Sequence, residues 1–346
     1  MGGEKDDELG TRWLQFGVFS PIMRLHSSNN QWNAKEPWNF GSEAQSVMID
    51  FLRLRHRLLP YIYTMNAKAA LEGTPLIQPM YWDHPNTDEA YRVPNQYLFG
   101  SELMVVPITQ PQDPRLRLAK ARGWLPPGRY VDIFSGAVYD GDREIWLSRS
   151  LGGYPVFARE GSIVPLDASP SPGNGGDCPG GFEILVAVGQ DGKFEILEDD
   201  GTGRTVANWT ATPISYTQAT GTLEIGPLSS QRQFKLRFLG LAASTQVRII
   251  VDGVEQSAAT TSESNALLVD LGSVSSKVIV ELGPNPQLCR PDPATMIWQI
   301  LNDAQMSFHL KEHIWTIVKN GVQVVSRLHA LEVDRNLLDA VLEYVL

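Results

Sequence analysis

Leu71-Glu72-Gly73-Thr74-Pro75-Leu76-Ile77-Gln78-Pro79-Met80-Tyr81 is where the chain changes period. Upstream, the apolar residues Ala44, Val47, Met48, Phe51, Leu58, Leu59 and Ile62 recur at helical spacing, so a long helix is expected from Ser42-Glu43 to Glu72-Gly73. Pro60 lies inside it and should kink or split it, because proline removes a donor and crowds the preceding turn. Downstream of Pro75 the runs are short and β-like: Leu76–Tyr81, Gln96–Phe99, Leu103–Ile108, Tyr130–Phe134 and Tyr154–Ala158. Turn formers punctuate them with no helical pattern between, which points to an antiparallel sandwich or barrel.

Working outward, Asp6 to Phe19 reads as a short helix with Leu9, Trp13 and Phe16 on one stripe and acidic residues in its first turn. Pro21 stops it. Ile22-Met23-Arg24-Leu25-His26 then reads as a brief buried strand opening into the polar loop Ser27-Ser28-Asn29-Asn30. Toward the other end, Ser169-Pro170-Ser171-Pro172-Gly173-Asn174-Gly175-Gly176 reads as a linker, and a second β-rich block follows from Phe182 to about Leu282. Its strands include Phe194–Leu197, Phe234–Phe238, Val247–Val251 and Lys277–Leu282. Past Pro284 and Pro286 the helical period returns, with Met296, Ile297, Ile300, Leu301 and Ala304 on one stripe and Ile314, Ile317 and Val318 on another.

Composition narrows the function classes. Apolar residues make up 42% and charged residues 20%, which suits folded domains with real cores. Lys+Arg total 29 against Asp+Glu 39, a net charge of −10, so binding a phosphate backbone would work against the field. No apolar run approaches the roughly 20 residues of a bilayer span, and the first residues are acidic rather than signal-like. Cys178 and Cys289 are too far apart for a local zinc knuckle. Four of the nine tryptophans, Trp13, Trp32, Trp38 and Trp82, fall in the first hundred residues. Indole faces suit sugar rings, and they also suit cores.

A set of short stretches, in order, resembles family 31 of the glycoside hydrolases, the α-glucosidases and α-xylosidases. They are Glu8-Leu9, Arg12-Trp13 and Gln15-Phe16-Gly17-Val18-Phe19-Ser20-Pro21; Arg24-Leu25-His26-Ser27; Glu36-Pro37-Trp38 with Phe40-Gly41; and Arg57-Leu58-Leu59-Pro60-Tyr61-Ile62-Tyr63. Gly123-Trp124-Leu125-Pro126, Pro155 through Pro165, and Glu198-Asp199-Asp200-Gly201 continue the series. The resemblance implies the end of a (β/α)₈ barrel followed by two antiparallel β-sandwiches and a small helical tail. Residues 1–82 would be the last barrel units, 83–168 the proximal sandwich, 169–285 the distal sandwich and 286–346 the tail.

It further implies retaining glycoside hydrolysis, in which two carboxyl groups roughly 5 to 5.5 Å apart act as nucleophile and as acid then base. Both family aspartates lie upstream of the stretch matched here, so no catalytic residue maps onto this chain, and Met1 is expected to be an internal methionine. His26 matches the family residue that hydrogen-bonds a sugar hydroxyl in the subsite before the cut. It is the one substrate-binding residue the resemblance transfers, against the alternative of a buried histidine bonded to a backbone carbonyl.

The remaining candidates read as structure. Trp32 and Trp38 could stack on a sugar or pack their loop on the first sandwich. Asp199-Asp200-Gly201-Thr202-Gly203 lacks the alternating ligands of a calcium loop and reads as a β-turn. Glu43 opens a helix, and neither it nor Glu36 is expected to act as an acid or base. His309 and His313 stand four apart on one helix but lack the glutamate and third ligand of a zinc hydrolase, and read as surface residues. The expected function is therefore the carboxyl-terminal portion of an α-glycosidase acting on an oligosaccharide or glycoside, with no cofactor, no metal, no nucleic acid and no membrane. A non-catalytic carbohydrate-binding or assembly module is the alternative, and an aberrant, poorly stable gene product a third.

Overall fold

Asp6 caps the first helix, α1 (Asp7–Val18), its carboxylate accepting the Leu9 N–H at 2.9 Å. The computed structural model describes residues 4–173, 178–199, 201, 209–241, 245–257 and 259–345. The stripe expected to face inward on α1 lies outward: Leu9, Trp13 and Phe16 are exposed, whereas Thr11, Arg12, Leu14, Gln15 and Val18 are buried. Long-range hydrogen bonds of Arg12 and Gln15 reverse the helix. Arg12 donates to the carbonyls of Gly153 (2.8 Å) and Ser150 (2.9 Å), and Gln15 to that of Leu151 (2.8 Å). Burial lowers the Arg12 pKa to about 10.

No strand forms over Ile22–His26. The segment is irregular, with Ile22, Arg24, Leu25 and His26 exposed. A strand needs a neighbour for its backbone groups, and no described residue pairs with this one. The long helix divides as Pro60 requires, into α2 (Ser42–Arg57) and α3 (Leu59–Glu72), with Leu58 at the break and Gly73 closing α3 in the left-handed region at φ 75°.

The proximal unit contains β1 (Ile77–Pro79), the short helix α4 (Asp88–Arg92), β2 (Tyr97–Phe99), β3 (Leu103–Val105), β4 (Ala119–Leu125), β5 (Arg129–Asp132), β6 (Val138–Asp140), β7 (Arg143–Arg149) and β8 (Val156–Arg159). Its sheet runs β1-β2-β3-β8-β5-β6, and a separate β4-β7 ribbon packs across it through Val106, Ala121, Trp124, Tyr139, Leu147 and Phe157.

The distal unit comprises β9 (Ile163–Asp167), β10 (Gly181–Ala187), β11 (Gly192–Glu198), β12 (Thr210–Thr217), β13 (Thr222–Ile225), β14 (Arg232–Leu239), β15 (Arg248–Val251), β16 (Val254–Gln256), β17 (Ala259–Glu263), β18 (Ala266–Val274) and β19 (Val278–Glu281). One sheet is ordered β17-β18-β14-β10-β9 and the other β11-β12-β13-β19-β15-β16, and their inner faces share one core. The unit is not wholly antiparallel, because β10 and β14 pair in parallel from Gly181 opposite Gln233 to Ala187 opposite Leu239. Two strands also fall across the expected boundaries: β1 belongs to the proximal sheet although it precedes residue 83, and β9 edges the distal sheet ahead of residue 169. Asn174, Gly175 and Gly176 of the expected linker, and Asp200, Thr202 and Gly203 of the expected turn, lie outside the described residues.

Four helices close the chain: α5 (Pro293–Asp303), α6 (Phe308–Asn320), α7 (Val324–His329) and α8 (Arg335–Val345). Ile297, Ile300, Leu301, Ile314 and Ile317 are buried where the sequence period put them. Helix α8 is bolted to the proximal unit by a buried polar cluster. Arg149 reaches Asp132 at 2.7 Å and Glu343 at 2.5 Å, while Glu343 also accepts the Ser148 N–H (2.7 Å) and the Tyr139 hydroxyl (2.8 Å). Burial keeps that hydroxyl protonated by raising the Tyr139 pKa well above its ordinary value.

The front helices dock on both β units. Arg57 pairs with Glu183 at 2.6 Å, which also holds Arg237 at 2.7 Å, and Thr64 accepts the Leu197 N–H at 3.1 Å. Tyr61 donates to the Phe99 carbonyl at 2.7 Å. Among the described residues the strands form four sheets, and none closes into a barrel.

Candidate functional site

The segment from Ser20 to Gly41 is a long loop, irregular but for one 3₁₀ turn at Pro37–Asn39, and pinned at both ends, the usual form of a binding loop on a rigid base. At its start the Arg55 guanidinium donates to the carbonyls of Val18 (2.8 Å), Ser20 (2.5 Å) and Pro21 (2.9 Å), and burial lowers its pKa. At its end the Asp7 carboxylate accepts the Gly41 N–H at 2.8 Å, and Phe40 lies so close to Gly10 that a Cβ there would meet its ring at 2.7 Å. Between the anchors, Asn30 shapes a turn by accepting the Trp32 N–H at 2.9 Å.

His26 sits in the open part of this loop, exposed and without a hydrogen bond among the described residues. It is therefore not a buried histidine satisfied by a carbonyl. Trp32 and Trp38 are 82% and 69% exposed, so neither is packed into the proximal unit. Sequence periodicity missed the exposure of Trp13, at 66%; the spacing of Gly10, Leu14 and Val18, four apart, was the signal for the other face. Leu9, Trp13 and Phe16 border a cleft of about 580 Å³ whose opposite wall is Pro107–Pro111.

The carboxylates around the loop's two anchors are engaged. Asp6 caps α1, Asp7 holds Gly41, Glu8 accepts the Gln112 N–H at 2.9 Å, Glu36 accepts from Asn39 at 3.1 Å and Glu43 pairs with Arg117 at 2.9 Å. None forms a facing pair of acids beside His26 in the interactions described. At the chain's other candidates, Asp199 accepts the Gly201 N–H at 2.7 Å within a turn, and His309 and His313 are exposed on α6. Among the described residues there is no group of three or more His, Cys, Asp or Glu side chains placed to hold a metal ion. Among them, too, no helix is long and apolar enough to cross a membrane.

Residues 1–65 match the glycosyl hydrolases family 31 TIM-barrel domain, and residues 73–164 the glycosyl hydrolase family 31 C-terminal domain. The chain belongs to glycosyl hydrolase family 31. Within family 31 it is 28% identical over 267 residues to α-glucosidase 2 of Bacillus thermoamyloliquefaciens, covering 76% of this chain and 33% of that protein. It is 31% identical over 195 residues to an α-xylosidase of Saccharolobus solfataricus, covering 56% of this chain and 25% of that protein.

Among solved structures, the α-xylosidase of Xanthomonas citri superposes with a TM-score of 0.58 at 31% identity, over 67% of this chain and 26% of that one. A Flavobacterium johnsoniae family 31 dextranase complexed with glucose superposes with a TM-score of 0.66 at 23% identity, over 80% and 37% of the two chains, a likeness of fold alone. The chain spans about a quarter to a third of the length of these curated relatives, and corresponds to the carboxyl-terminal portion of the family architecture.

Proposed function

We propose that this chain is the rear wall and buttress of an α-glycosidase site, acting in the complete enzyme on α-linked glucosides or xylosides by double displacement, with both catalytic aspartates supplied from outside it. The observation that carries this reading is the loop fixed by Arg55 and Asp7. It presents His26 and Trp32 to solvent while the neighbouring carboxylates are spent on structure. The α-glucosidase and α-xylosidase relatives support the substrate class. In this reading α1 to α3 are the last helices of a (β/α)₈ barrel, and the unit boundaries fall where the sheets change: near Pro75, at Glu160–Ser162 and near Pro284.

His26 would donate to a hydroxyl of the sugar before the scissile bond, a contact that strengthens as positive charge develops on the ring. In an intact enzyme, His26→Ala should lower kcat/KM by about 1.5 to 3 kcal/mol of transition-state stabilisation. An unchanged kcat/KM removes the role. The chain alone should release no p-nitrophenol from p-nitrophenyl α-glucoside or α-xyloside, and release by the chain alone overturns the assignment of both acids elsewhere.

A second reading, a non-catalytic carbohydrate-binding module, is favoured by the exposure of Trp13, Trp32 and Trp38. Saturable binding of maltooligosaccharide by the isolated chain, lost in Trp32→Ala, would select it.

A further inference from the structure

The proximal unit carries a second concave surface, remote in sequence from the His26 loop. The chain crosses from β6 to β7 through Gly141-Asp142, where the Gly141 N–H donates to the Gly128 carbonyl at 2.7 Å and Asp142 takes φ 60°. That contact brings the Pro127-Gly128 turn against the β6–β7 connection, and Arg159 joins them by donating to the Pro127 carbonyl at 3.1 Å. Together with α4 and β4 these segments enclose a cleft of about 760 Å³, within the usual size of small-molecule sites.

Its charge is unlike the rest of the molecule. Arg92, Arg122, Arg143 and Arg159 line it against Glu89, Asp142 and Glu144, an excess of positive charge on a chain whose net charge is −10. The four guanidiniums are not equivalent. Glu144 neutralises both Arg92, at 3.0 Å, and Arg122, and Glu89 also pairs with Arg92. Arg143 and Arg159 instead rest on backbone carbonyls, Asp140 and Pro127, each at 3.1 Å, and neither forms an ion pair within 4.0 Å among the described residues. Two nearby carboxylates are already taken, Asp140 by Arg290 and Glu160 by Arg129 at 3.0 Å, which leaves Asp142 as the cleft's unpaired acid among the described residues. Each of these two arginines uses one N–H on a carbonyl and keeps the remainder of its planar fork, the geometry that recognises oxyanions. Trp124, buried to 3% exposure, stiffens the wall but offers no stacking face, which argues against a neutral sugar as the occupant.

We propose that this cleft binds an oxyanion, phosphate or carboxylate, between Arg143 and Arg159, with the Glu144-bridged Arg92 and Arg122 forming its far rim. The site is independent of the glycosidase reading and would survive its failure.

The test is calorimetric titration of the full chain with inorganic phosphate, glucose 6-phosphate, glucuronate and, as the neutral control, maltose. Saturable binding of at least one anion, weakening as sodium chloride is raised, with none for maltose at this site, is the expected result. Phosphate binding as tightly as glucose 6-phosphate identifies a free anion as sufficient, whereas binding of the sugar anions alone places the oxyanion on a glycoside. The decisive variant is Asp142→Asn. Asparagine tolerates positive φ as aspartate does, so the β6–β7 connection keeps its shape while the cleft loses a negative charge. Affinity should rise by about threefold or more. Arg143→Gln combined with Arg159→Gln should lower it by about tenfold or more at an unchanged far-UV spectrum. No saturable anion binding at about 20 mM, far weaker than a built arginine fork should give, overturns the proposal. So does an Asp142→Asn variant that binds no more tightly than the parent.

Discussion

Glu102 is half-buried, its carboxylate accepting the Ile163 N–H at 2.9 Å and the Ser101 hydroxyl at 2.7 Å, and burial raises its pKa above the ordinary carboxylate range. A raised value means that the folded chain binds this proton more tightly than the unfolded chain does. The stability so gained is complete below the unfolded value of about 4.3 and is lost as pH rises through the higher folded value. Glutamine cannot titrate, yet its oxygen can take the Ile163 N–H and its amide can face Ser101. Glu102→Gln should therefore gain on the parent in unfolding free energy as pH goes from 4 to 7, by at most about 1.4 kcal/mol per pH unit. Urea denaturation at a series of pH values measures the gap, and a gap constant with pH refutes the assignment. Other single residues show where sequence reading stops. The motif nominated His26, but its setting was not legible, because an extended segment becomes a strand only beside a partner. Arg12 was the harder case. Counting apolar residues placed Trp13 inward, whereas the carbonyls that hold Arg12 come from residues 149–153, and nothing local announces them.

At the scale of elements, proline and glycine carried most of the legible signal, since their effects are local. Pro60 set the α2–α3 break and Gly73 the end of α3, as backbone sterics require. The cluster from Ser169 to Gly176 marked a break in regular structure, but could not say which sheet the strand before it would join; that is decided by the β9–β10 ladder, Ile163 to Asp167 opposite Val186 to Phe182. The parallel β10–β14 pair was likewise invisible, because both strands satisfy the same pattern in either direction. Two glycines separate backbone strain from packing. Gly73 has φ 75° with nothing within 4 Å of an added Cβ, so Gly73→Ala should cost about 1 kcal/mol, the left-handed penalty alone. Gly100 has φ 65°, and its Cβ would fall 2.7 Å from both Met65 Cγ and the Tyr61 ring. Gly100→Ala should lose about 2 to 4 kcal/mol, adding overpacking to the same penalty. Equal losses at the two positions in chemical denaturation would mean that the Tyr61 contact is soft.

For the whole molecule, the end of β7 is the joint on which the units depend. From the front, Arg12 of α1 holds the Gly153 and Ser150 carbonyls and, at 3.3 Å, that of Arg149. From the tail, Glu343 of α8 holds the Arg149 side chain and the Ser148 N–H. The stretch from Ser148 to Gly153 is thus gripped by the first helix and the last, with Arg149 held by both, and loosening either grip should release the other's anchor. Arg12→Ala removes donors from buried carbonyls, and Glu343→Gln weakens the charge pairing of Arg149 while keeping the shape; each should cost about 2 to 4 kcal/mol. If the joint is shared, the double variant loses less than the sum of the two, with a coupling of about 0.5 kcal/mol or more. Tryptophan fluorescence and far-UV circular dichroism should also report one coincident transition, since the indoles span the front helix, the proximal unit and the tail. Additivity within about 0.3 kcal/mol, or transitions that part between the two probes, would show instead that front helices and tail rest on the proximal unit separately. The helical tail would then be an appendage rather than a clamp.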